Sequence, residues 1–138
     1  MLHSVNQMQR VAIAVWRGYV STTLDFAGSL LVVDLEGRKE AATKVLRLAG
    51  DSLQSIASRL EEQGIDVVIC GAISQWLGHR LEMRGMIVIP FVSGRVDDVI
   101  AAFAAGTLDD GRFLMAGCSA GARAAWRRRT GSGPASRP

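Results

Sequence analysis

At 138 residues, with 49% hydrophobic and 21% charged side chains, the chain has the length of one domain and the composition of a globular one, which excludes wholesale disorder, collagen-like repetition and a coiled coil. No apolar run reaches the roughly 18–20 residues a membrane span needs, and the opening Met1-Leu2-His3-Ser4-Val5-Asn6-Gln7 lacks the order of a signal peptide; a cytoplasmic protein is expected. Five of the 16 basic side chains (Arg123, Arg127, Arg128, Arg129 and Arg137) fall in the last 16 residues with no acid, leaving 11 basic against 13 acidic before them. The high isoelectric point therefore comes from residues 123–138, and the body gives no electrostatic case for nucleic-acid binding.

Val11-Ala12-Ile13-Ala14-Val15-Trp16 and Leu30-Leu31-Val32-Val33-Asp34-Leu35 are short, continuous apolar runs that read as buried strands. The polar stretch 17–28 between them is longer than an ordinary connection and is a candidate functional loop. Glu36-Gly37-Arg38-Lys39 is a turn signal, and Thr43 to Leu48 alternates in part, so the second and third strands are expected as an antiparallel hairpin. From Asp51 the period becomes helical: Leu53, Ile56, Ala57 and Leu60 recur on one face, Asp51 with Gln54 offers a capping box, and Gly64 marks the stop. Val67-Val68-Ile69-Cys70 is a fourth strand, Ser74 to Arg84 a second helix, Met86-Ile87-Val88-Ile89 a fifth strand, and Val96 to Ala105 a third helix with Asp97 and Asp98 in its first turn. Beyond Leu108 only Phe113-Leu114-Met115 reads as anchored, and the composition of Thr130 to Ser136 is that of a disordered tail. The expected fold is α/β: a mixed five-stranded sheet in the order 3-2-1-4-5 with helices on both faces. Strands one, four and five are then parallel, and the loops 17–28, 71–74 and 91–95 converge at their carboxyl ends, where open sheets bind ligands.

The candidate site residues follow from that edge. Cys70-Gly71-Ala72-Ile73-Ser74 puts a thiol at a strand tip, then a glycine that permits close approach and a serine able to cap the next helix, whose amino end favours anions. Cysteine is also among the most buried residue types, so a plain core role for Cys70 stays open. Cys118 lies among small residues in Gly117-Cys118-Ser119-Ala120-Gly121, where a ligand or redox role competes with burial; two cysteines so far apart make no zinc signature. Asp25 can bind a cation or cap a turn. Trp76 is read as core on the second helix and His79 as solvated or packed. No Walker loop, GxSxG, HExxH or CxxC occurs, and two histidines leave little room for acid–base chemistry; catalysis is not expected.

The residues resemble the dinitrogenase iron–molybdenum cofactor biosynthesis family, the NifX-like proteins and nitrogenase accessory factors. The resemblance is carried by Arg10 to Val15, Val20-Ser21 with Asp25-Phe26-Ala27, Leu31 to Asp34, Ile65 to Ser74, Gly85 to Pro90, Gly94 to Val99 and Gly117-Cys118, with 65–74 its most specific part. It implies a ribonuclease H-like three-layer αβα fold over a single cofactor-binding domain, 1–122, followed by a basic tail, 123–138. The implied role is a non-catalytic carrier of iron–sulfur or iron–molybdenum cofactor precursor clusters that works with cofactor-assembly proteins. Its candidate cofactor-binding residues are Cys70, Gly71, Ala72, Ser74 and Asp25, and its candidate metal ligands Cys70 and Cys118. Where many members carry a Ser-x-His-Phe-Gly segment, this chain has Leu24-Asp25-Phe26-Ala27, so its thiols are the soft ligands it offers. The alternatives are a cofactor-free interaction or regulatory module that retains the fold and a tail-driven nucleic-acid binder. A nuclease is excluded because the strand Val11 to Trp16 holds no acid for magnesium.

Overall fold

A computed structural model describes residues 8–48, 50, 52–108 and 111–115. The elements run β1 (Met8–Trp16), β2 (Tyr19–Val20), β3 (Ser29–Glu36), β4 (Lys39–Arg47), α1 (Leu53–Glu62), β5 (Val67–Ile69), α2 (Gln75–Met83), β6 (Ile87–Ile89) and α3 (Val96–Ala105), then a 3₁₀ turn at Gly111–Phe113. The sheet has six strands, not five: β4-β3-β1-β5-β6, with β2 pairing β1. β3 and β4 are antiparallel to their neighbours, whereas β1, β5 and β6 are mutually parallel.

The period-two alternation of strand side chains divides the apolar runs between two cores. Ala12, Ala14, Leu30, Val32, Val68, Cys70 and Val88 join Ile56, Ala57 and Leu60 of α1 and Leu77 and Leu81 of α2. Val11, Ile13, Val33, Leu35, Val67 and Ile69 face Val96, Val99 and Ile100 of α3 on the other side. Helices thus cover both faces, and strands buried on both sides cannot show an alternating sequence pattern.

Three expectations need correction. The segment 17–28 is no open polar loop: Arg17 and Gly18, with φ 52 and 84, turn β1 into β2, the positive pair that a type I′ hairpin requires, and Leu24 is wholly buried. β4 begins at Lys39, not Thr43, because it is a sheet edge exposed almost throughout and burial imposes no pattern on it. The cap of α1 is Ser52, whose hydroxyl accepts the Ser55 amide at 3.1 Å. Asp51, named for that cap, lies outside the described residues, as do Cys118 and the tail 123–138.

Candidate functional site at the carboxyl edge

The three parallel strands end together, and the loops leaving them are stitched by main-chain hydrogen bonds. Leu24 N–H donates to Ala72 O at 2.9 Å and Ala72 N–H to Thr22 O at 2.8 Å; Phe91 N–H reaches Gly71 O at 2.9 Å and Val20 N–H reaches Gly94 O at 2.9 Å. Loops 17–28, 71–74 and 91–95 therefore form one continuous surface. Gly71 is what lets them close: a Cβ there would stand 2.5 Å from Thr22 O and 2.6 Å from Ser21 O. Phe91, at φ 64, holds a conformation that costs a bulky residue about 1–3 kcal/mol, and its carbonyl accepts the Met115 amide at 2.9 Å.

Asp25 and the 71–74 turn meet directly. Asp25 Oδ1 accepts the Ser74 amide at 2.9 Å, while Ser74 caps α2 by accepting the Leu77 amide at 3.2 Å. Thr23 Oγ1 in turn accepts the Asp25 amide at 3.2 Å. Asp25 is therefore a structural tie, and its carboxylate already sits where an anion would approach that helix end.

Cys70 is placed otherwise than its ligand role expects. Its side chain is 0% exposed and belongs to the α1–α2 core, because it shares the parity of Val68 on an inner face. The edge presents the Cys70 backbone and not its thiol. Gly71 is buried and Ala72 and Ser74 half-buried beside it. Among the described residues no three His, Cys, Asp or Glu side chains gather as a metal cage.

The edge also exposes two arginine–aromatic pairs that sequence reasoning missed, with Asp97 and Asp98 of the first turn of α3 exposed just after the second. Arg17 lies 4.7 Å from the Trp16 ring centroid and Arg95 5.5 Å from that of Tyr19, with Trp16 62% and Tyr19 48% exposed. A bridge between Tyr19 and Arg95 brings the two pairs to one end of the sheet. The Arg17-Gly18 turn was the signal available, since a two-residue hairpin would have placed Trp16 and Tyr19 side by side.

These features define an α/β protein with helices on both faces of a mixed sheet and two exposed arginines, Arg17 and Arg95, at the parallel strands' carboxyl ends. The family described as dinitrogenase iron-molybdenum cofactor matches residues 8–106, and the chain belongs to it. Among solved structures it is similar to PH0822, with 25% identity, a TM-score of 0.68 and coverage of 71% of this chain and 90% of that one. It also resembles the MJ0327 protein of Methanocaldococcus jannaschii, at 20% identity, TM-score 0.60, and 71% and 89% coverage. The apo orange protein of Desulfovibrio gigas is similar at 21% identity, TM-score 0.62, and 81% and 96% coverage. No match was found among curated proteins. No helix among the described residues is long and apolar enough to cross a membrane.

Proposed function

We propose that the chain is a non-enzymatic carrier in iron–molybdenum cofactor assembly, holding an iron–sulfur or iron–molybdenum precursor cluster as cargo at the carboxyl edge of its ribonuclease H-like sheet. Membership in the family over residues 8–106 carries this reading. The geometry supports it in one respect: precursor clusters of this type are anionic, and Arg17 and Arg95 stand exposed where three loops meet. Cys70 supports the fold of that edge from beneath, Gly71 and Ala72 form its floor, and Asp25 with Ser74 fixes its far side. With Cys70 enclosed, Cys118 is the thiol this reading puts forward as a ligand, since soft iron sites favour thiolates. The partners are the proteins that supply and receive the cargo, in a cytoplasmic setting.

The enclosed Cys70 thiol favours a second reading, an interaction module that kept the fold without the cargo. Anaerobic incubation with ferrous iron, sulfide and molybdate, followed by gel filtration and metal analysis, separates the two. Iron and acid-labile sulfide retained in stoichiometric proportion support the carrier; a metal-free chain supports the module.

A further inference from the structure

Trp76, His79 and Met83 recur at helical spacing along the outer side of α2 and are exposed, with the half-buried Arg80 beside them toward α1. Trp76, read from sequence as core, is 47% exposed and Met83 is 70% exposed; the face α2 buries is instead Leu77, Gly78 and Leu81. These side chains and Arg84 line a shallow groove of about 520 Å³. Large exposed apolar side chains in one strip mark an interaction surface, and Trp, Phe, Met and Arg are the residues enriched at interface centres.

The charge around the strip selects the occupant. The groove lining contains two guanidiniums and an imidazole and no carboxylate. Glu61 of α1 is the acid the two arginines share, at 3.1 Å from Arg80 and 3.4 Å from Arg84, so on this flank one negative charge faces two positive ones, while the carboxylate oxygens of Glu82, next to Met83, are buried. We propose that this face of α2 docks an amphipathic helix of a partner protein, with apolar residues set on Trp76 and Met83 and Asp or Glu along its flanks beside Arg80 and Arg84. The groove shares no residue with the Arg17 and Arg95 pairs of the carboxyl edge, and the docking does not depend on cargo being bound.

The test is a displayed library of short helix-forming peptides panned against the full chain, with binding of the selected peptides then measured in solution. The expected winners carry apolar residues three and four apart and acidic flanks. Trp76→Ala and Met83→Ala should each weaken them about tenfold or more, Arg84→Glu should weaken them as well, and added salt should lower affinity. Unchanged circular dichroism shows that the variants fold. The proposal is overturned if no peptide is enriched, if the winners have basic flanks, or if they bind the Trp76→Ala and Met83→Ala proteins as well as the parent. It is also overturned if sedimentation shows a dimer that either substitution dissociates, which would give the face to a second copy of this chain.

Discussion

Asp25 Oδ1 accepts the backbone N–H of Ser74 at 2.9 Å across 49 residues of sequence. In a capping box a residue three positions into the helix returns to the N-cap amide; here that position is Leu77, which cannot, and a carboxylate from a distant loop does so instead. One hydrogen bond thereby fixes the helix start and the 17–28 segment together. Asp25→Ala should cost about 1 kcal/mol, read as a shift in the urea midpoint with an unchanged slope. Asp25→Asn, which keeps an acceptor, should lose much less. Equal losses for the two would show that the carboxylate is not acting as this acceptor.

Gly71→Ala should be more damaging than a glycine-to-alanine change at the exposed Gly28, because an added carbon at Gly71 meets backbone oxygens at 2.5 and 2.6 Å whereas one at Gly28 meets nothing within 4 Å. Overpacking of this kind costs about 1–3 kcal/mol. Thermal melting of the two variants checks it, and a Gly71→Ala protein as stable as the parent would mean that the 21–22 segment yields freely.

Cys70 should resist alkylation while the chain is folded. Peptide mass mapping after brief iodoacetamide treatment should find position 70 unmodified in buffer and modified in denaturant. Cys70→Ser should destabilise by about 1–3 kcal/mol, since it places a hydroxyl in an apolar core, whereas Cys70→Ala leaves only a small void. Rapid native labelling at position 70 would show that the edge opens.

Much of the architecture is legible in the order of residues alone. The two helix faces at Ile56, Ala57 and Leu60 and at Val96, Val99 and Ile100 are written in the spacing, and so is the convergence of three loops at the ends of parallel strands. The fate of Cys70 is half legible: its parity with Val68 assigns it to a sheet face, but not how tightly α1 and α2 close over that face. Trp76 defeats the spacing because the wedge of α2 that packs inward is narrow, filled by Leu77, Gly78 and Leu81, and a glycine there carries no hydrophobic signal. β2 escapes because two residues are too few to show a period. The register that puts Arg10 opposite Asp34 is hidden too, for pairing partners are set by hairpin geometry and not by composition.

That pair has a pH signature. Arg10 Nε lies 2.6 Å and Nη2 3.1 Å from the two oxygens of Asp34, and the hydrogen-bonded guanidinium holds the Asp34 carboxyl below its ordinary range. A carboxylate lowered in the folded state stabilises above its unfolded pKa of about 3.9 and loses that contribution as pH falls through the folded value. Asp34→Asn should therefore cost about 1 kcal/mol at pH 7, and the gap to the parent should close below about pH 4. A gap that is constant from neutral pH into acid would contradict the pairing.

The most direct test of the carrier account is iron bound per chain after anaerobic incubation with ferrous iron, sulfide and molybdate, compared across four proteins. The account predicts that the parent and Cys70→Ala take up iron alike, because the buried thiol is core. Cys118→Ser and the Arg17→Glu, Arg95→Glu double variant should lose most of it while keeping their circular dichroism. A parent that takes up none, or a folded Cys70→Ala protein that alone loses its iron, would contradict the account.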